Sequence, residues 1–201
     1  MFAVPFATAT HPSPEPLNSQ LRALFLAREA EGDRYANPTR LVDRNEHLFE
    51  SRFDLFTWPD ACVQALKKFC WAEHYRTIAE VNGFDLPTLQ RLHIADSTWF
   101  HVTRRGGHFG LHNHPMATWS GVYCVSSGGP APDHPNSGVL HIVKPHATRN
   151  MYMDGSVVHM QRPYSTSPHH FRLQPGQLVL FPSWLLHEVM PFHGDGERIT
   201  V

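Results

Sequence analysis

Near residue 95 the spacing of apolar residues switches from helical to strand-like, and this limits the possible folds more than any other feature of the chain. Before the switch, Leu17, Leu21, Leu24 and Phe25 mark an amphipathic helix entered from a proline-rich stretch, with Asn18 or Ser19 as its cap. Trp58-Pro59-Asp60 opens a longer helix whose stripe runs through Cys62, Leu66, Phe69 and Cys70 towards Ile78 and Val81, and Asn82-Gly83 can end it. The stretch from Leu48 to Phe56 has no decisive period. After Thr98, strands are expected over Trp99 to Thr103, Trp119 to Val125, Val139 to Val143, Val157 to Gln161, Phe171 to Leu173, Gln177 to Phe181, His187 to Met190 and from Arg198 onward. Pro175-Gly176 and Gly194-Asp195-Gly196 supply reversals, and Ser126 to Ser137 and Lys144 to Gly155 read as loops. Short strands at this spacing predict a mainly β fold, a double-sheet jelly roll with the early helices on one outer face. The expected organisation is a single domain over 1–201, with a helical part at 1–95 and a barrel core at 96–201.

Composition narrows the partners. At 201 residues there is enough chain for one well-filled core, and 17 basic against 18 acidic side chains leave a net charge of −1. No broad basic face for nucleic acid or anionic lipid is implied. Three cysteines without metal spacing fit a reducing compartment. Residues 1–16 lack the basic lead of a signal peptide, and no segment is long and apolar enough to span a bilayer, so the expectation is a soluble, cytoplasmic protein. Aromatic residues in the N-terminal half offer a contact for a homodimer.

Histidine is the outlier, with 16 residues. Most are expected to be solvated, because one metal site needs three. His112 and His114 stand at i and i+2, which points both imidazoles to one face if the backbone is extended, and Pro115 favours that geometry. A distant third ligand is required, and His187 qualifies at the end of the apolar run Phe181-Pro182-Ser183-Trp184-Leu185-Leu186. Taken alone, His187 would only cap a strand. Arg198 tips the balance: if 191–196 reverses the chain into a hairpin, Arg198 falls opposite Val189 on the face of His187, about 10 Å away. That distance suits a five-carbon diacid that chelates a metal at one end and meets a guanidinium fork at the other. Thr200, on the same face, adds a hydroxyl. The bland alternative for Arg198 is an ion pair with Glu197 or Asp195. His101 and His108 are alternative ligands, and Tyr123 and Trp119 are candidates to line the pocket, although core packing is the commoner fate of such rings. His141, His146, His159, His169 and His170 have no partner spacing.

The segments His112-Asn113-His114-Pro115, Ser120-Gly121-Val122-Tyr123, Pro175-Gly176, Phe181 to Val189 and Arg198-Ile199-Thr200-Val201 together resemble the 2-oxoglutarate and iron(II)-dependent oxygenase family of bacteria and phages. The resemblance is strongest over Trp99 to Val201. It implies a double-stranded β-helix, iron(II) held by His112 and His187, and Arg198 on the far carboxylate of 2-oxoglutarate, assisted by Thr200. The position of the usual Asp or Glu ligand is occupied here by His114. The activity implied is hydroxylation of an unknown small-molecule or peptide substrate. Members of the family usually run a little beyond the point where this chain stops, at Val201.

Two other readings remain. Three-histidine iron sites also occur in cupin-type dioxygenases that bind their substrate directly and need no oxoacid. A jelly-roll binding protein with incidental histidines is the non-catalytic alternative.

Overall fold

The computed structural model describes residues 3–39, 41–145, 155–156, 159–162, 164–165 and 167–201. Two antiparallel sheets face each other, and two long helices cover the outside of the larger one. The larger sheet has the order β1-β8-β5-β10-β3-β2, and the smaller β4-β9-β6-β7. Their strands are β1 (Ala7–Thr10), β2 (Leu48–Glu50), β3 (His101–Thr103), β4 (Phe109–His112), β5 (Trp119–Ser127), β6 (Leu140–Ile142), β7 (His169–Phe171), β8 (Gln177–Pro182), β9 (His187–Val189) and β10 (Arg198–Thr200). From β3 onward the chain alternates between the sheets except at the β6–β7 pair, which is the winding of a double-stranded β-helix. The jelly-roll expectation holds.

The helices are α1 (Pro14–Ala30) and α2 (Ala61–Asn82), with a short α3 (Leu86–Leu89) after them. α1 starts earlier than Asn18 or Ser19 would cap it. Pro14 opens it, since a proline at the first helical position loses no hydrogen bond there. Asn18 instead lies inside the helix, 7% exposed, and accepts a hydrogen bond from the Tyr123 hydroxyl at 2.8 Å. α2 ends at Gly83, whose φ of 66° is the left-handed conformation that glycine adopts without a Cβ clash. Among the described residues no helix is long and apolar enough to cross a membrane.

Alternation along the strands divides the core in two. Leu21, Phe25, Leu66, Phe100, Val102, Tyr123, Val125 and Ile199 fill the space between the helices and the larger sheet, where Phe25 and Phe100 stack with centroids 4.2 Å apart. Leu140, Ile142, Val179, Phe181 and Leu185 fill the space between the sheets. Each buried residue of this kind contributes about 1.5–3 kcal/mol over leaving it exposed, so both interfaces hold the sheets in fixed relation.

One expectation fails in an instructive way. β9 and β10 do not form a hairpin: β9 pairs with β4 and β6, and β10 with β3 and β5. The reversal at 191–196 carries the chain from one sheet to the other, because both neighbours of each strand are already taken. The strands β1, β2 and β4 also escaped the sequence reading. In contrast, Val157 and Val158 of an expected strand lie outside the described residues, and 159–161 form no strand. Most of the expected loop at 144–155 likewise falls outside them.

Candidate metal centre

The Phe181–His187 segment explains how the site is assembled. Phe181 enters the inter-sheet core, and Pro182 ends β8. Ser183, fully buried, then locks the turn: its N–H donates to Thr118 O at 3.0 Å, and its hydroxyl lies 2.7 Å from that of Ser120. Ser183 O in turn accepts the backbone N–H of His114 at 3.0 Å. His114 lies just beyond β4, so this bond, rather than strand alternation, presents its ring. His187 and His112 are direct register partners across β9 and β4.

Three imidazoles therefore meet. Ring centroids are 4.1 Å apart for His112 and His187, 4.9 Å for His112 and His114, and 5.1 Å for His114 and His187. One ligand atom from each lies within 4.8 Å of the others, and among the described residues no second group of this kind occurs. The Nδ1 of His112 is 2.8 Å from Gly110 O, and that of His187 is 2.8 Å from Leu185 O. A carbonyl only accepts, so each Nδ1 carries the proton and each Nε2 keeps its lone pair for a metal. Burial, reinforced by the neighbouring imidazoles, holds His187 down to about 3 and His114 down to about 4, and burial also lowers His112. All three are thus neutral, ligand-ready bases near neutral pH. Among the described residues no carboxylate joins them.

Arg198 reaches the same interior space from the opposite wall. Ile199 points towards the helices, so its neighbours Arg198 and Thr200 point between the sheets, where they are 7% and 4% exposed. A Cβ on Gly138, just before β6, would lie 2.8 Å from Arg198 Cδ, so the arginine stem spans the gap towards the smaller sheet. Among the described residues Arg198 has no carboxylate and no hydrogen-bond partner. The alternative of a surface ion pair is not what forms, since Glu197 bonds Arg22 and Asp195 bonds Arg105. Thr103, the register partner of Arg198 on β3, has a buried hydroxyl that is also without a partner. An unpaired buried cation beside an unpaired hydroxyl costs free energy unless a ligand anion answers it.

The remaining candidates separate cleanly. Tyr123 is not in the pocket: it faces the helices, packs on Phe69 and bonds Asn18. Trp119 also packs on that side. His108 lies 3.4 Å from Asp43, and His141 2.6 Å from Glu188. His101 does not join the cluster but stands between the sheets, its Nε2 3.1 Å from the buried carboxylate of Glu50. Glu50, Arg44 and Thr103 were missed by the sequence reading. Glu50 lies in a row with His101 and Thr200, Thr103 in the next row with Leu48 and Arg198, and Arg44 reaches Glu50 from before β2, so their signal exists only once the pairing is known.

A family model described as "Putative 2OG-Fe(II) oxygenase" matches residues 97–201. In structure the chain is similar to a Pseudomonas putida prolyl-4-hydroxylase, with a TM-score of 0.63 and 20% identity over 98% of this chain and 89% of that one. It is also similar to a Trichoplax adhaerens prolyl hydroxylase in complex with a hypoxia inducible factor oxygen degradation domain peptide fragment, with a TM-score of 0.59 and 14% identity over 97% and 81%. AviO1 from Streptomyces viridochromogenes gives a TM-score of 0.55 and 16% identity over 98% and 87%. At these identities the likeness is one of fold. No curated protein matches the chain.

Proposed function

The chain belongs to the 2OG-Fe(II) oxygenase family, and from that premise we propose that it is a non-haem iron oxygenase with a three-histidine centre and a carboxylate anchor at Arg198. His112, His114 and His187 would hold the metal, and the tautomers imposed by Gly110 O and Leu185 O aim two of the three Nε2 lone pairs at it. Iron(II) suits an imidazole donor set, and three protein ligands leave open positions for a ligand and oxygen. When bound, it supplies the activation of oxygen; the chain supplies position, charge and exclusion of water. The observation that carries the reading is the pairing of this cluster with a buried guanidinium that has no counter-ion among the described residues.

The identity of the carboxylate ligand is the finer question. Arg198, with Thr103 and Thr200 beside it, suits the far carboxylate of 2-oxoglutarate as co-substrate, with hydroxylation of a separate small-molecule or peptide substrate. The donor set itself favours the other form of the proposal. Three imidazoles without a carboxylate fit better a three-histidine dioxygenase whose carboxylate-bearing substrate binds the metal directly.

Anaerobic addition of iron(II), then 2-oxoglutarate, separates these while the visible metal-to-ligand charge-transfer band is monitored. Wild type is expected to bind one iron per chain, His187→Ala to lose it, and Arg198→Gln to keep it. A band in wild type that needs roughly tenfold or more extra oxoacid in Arg198→Gln establishes the co-substrate form. Iron without a band assigns the carboxylate to the substrate, and no iron in wild type refutes the oxygenase reading.

A further inference from the structure

Glu50 on β2, His101 on β3 and Thr200 on β10 form one cross-strand row, with Glu50 and Thr200 both register partners of His101. Their neighbours Val102 and Ile199 face the helices, so the row faces the space between the sheets. Here His101 packs on Phe109 with centroids 4.8 Å apart, and Phe109 packs on His112 at the same separation. One phenyl ring thus separates His101 from a proposed metal ligand.

Glu50 is 4% exposed, and its Oε1 accepts from Arg44 and from Asn37 Nδ2. Burial alone would push its carboxyl up, but His101, Asn37 and Arg44 together outweigh it and hold Glu50 below the usual range, hence ionised. Its other oxygen is 3.1 Å from His101 Nε2, and the indole N–H of Trp99 also lies 3.1 Å from that nitrogen. Both contacts cannot be hydrogen bonds at once, because indole only donates and a carboxylate only accepts. A bond to an ionised acceptor is about twice as strong as a neutral one, so the Nε2 proton goes to Glu50. The lone pair of His101 is then at Nδ1, which has no partner among the described residues.

We propose that His101, held by Glu50, is the proton acceptor of this site, taking at Nδ1 the proton of an acidic hydroxyl on a carboxylate-bearing ligand such as an enol, a phenol or an α-hydroxy acid. This rests on the three-histidine reading above. Three neutral imidazoles bring no negative charge to a divalent metal, so a hydroxyl ligand binds well only as its oxyanion. The O–H bond breaks, its electron pair stays on oxygen, and an N–H bond forms at Nδ1. Burial, with Arg198 and Arg44, holds His101 below its ordinary value, so the ring stands neutral with its lone pair free; Glu50, the one anion among the described groups facing it, favours the imidazolium against these cations and against His112 and His114.

The probe is 4-nitrocatechol, whose colour reports loss of its proton and which has no carboxylate for Arg198. It is titrated anaerobically against the iron(II)-loaded full chain, with iron content measured on the same samples. His101→Gln and Glu50→Gln are expected to keep wild-type iron content. The pH midpoint for binding the probe as an anion is expected to rise by about one unit or more in His101→Gln, roughly a tenfold loss of binding near pH 6, and to move in the same direction in Glu50→Gln. An unchanged midpoint in either variant overturns the proposal and leaves the metal reading standing. Absence of iron from wild type removes both. As a check free of metal and substitution, the ¹⁵N shifts of His101 in the metal-free chain are expected to show a protonated Nε2 and a bare Nδ1; the opposite tautomer also overturns it.

Discussion

His187 illustrates how a residue can be singled out from sequence for an incomplete reason. Its place after an apolar run was legible, and so was the pairing of His112 with His114. The neighbours that make them ligand-ready were not, because Gly110 O, Leu185 O and Ser183 O act through backbone geometry that no side-chain pattern encodes. Their burial has a consequence for stability. The folded His187 holds its proton only below about 3, whereas the unfolded chain takes one up through the ordinary value of 6.5. Below 6.5 the unfolded state therefore binds more protons, and stability present at neutral pH is lost as pH falls towards about 3. For the metal-free chain, urea denaturation at pH 7 and at pH 5 should differ by on the order of 2 kcal/mol from His187 alone. His187→Phe should shrink that difference, and an equal difference in the variant would show that other groups carry the acid sensitivity.

At the scale of the element, the two long helices and most strands were readable from periodicity and from Gly83 and Pro175-Gly176. The parting of β9 and β10 into different sheets was not, since sequence adjacency suggests a hairpin and only the competition between sheets for each strand overrules it. Arg198 still reaches the interior because alternation within β10 sets its face whichever strand lies alongside. α1 makes a related point. Asn18 looks like a helix cap, but within the helix it meets the Tyr123 hydroxyl at 2.8 Å. Asn18→Ala should cost about 1–3 kcal/mol by leaving that buried hydroxyl without an acceptor. A thermal-unfolding double-mutant cycle with Tyr123→Phe should give a double variant less destabilised than the sum of the singles; strict additivity would mean the bond contributes nothing. The loop before β6 carries a sharper test. Gly138 has φ of 60°, and a Cβ there would press on Arg198 Cδ at 2.8 Å. Gly138→Ala should lower stability by about 1–2 kcal/mol and weaken carboxylate binding while iron content stays at the wild-type level.

For the whole molecule, the histidine cluster and the arginine belong to different walls. The cluster is carried by β4, the turn after it and β9 in the smaller sheet; Arg198 is carried by β10 in the larger one. What keeps those walls apart is the packed layer of Leu140, Ile142, Val179, Phe181 and Leu185, none of which needs to touch a ligand. That layer behaves as the gauge block of a calliper whose jaws are the imidazole cluster and the guanidinium. If the proposed carboxylate ligand bridges the jaws, a bulkier filling would set them to a longer acid and a thinner one to a shorter acid, and chain-length preference would be written in the volume of apolar side chains that never meet the ligand.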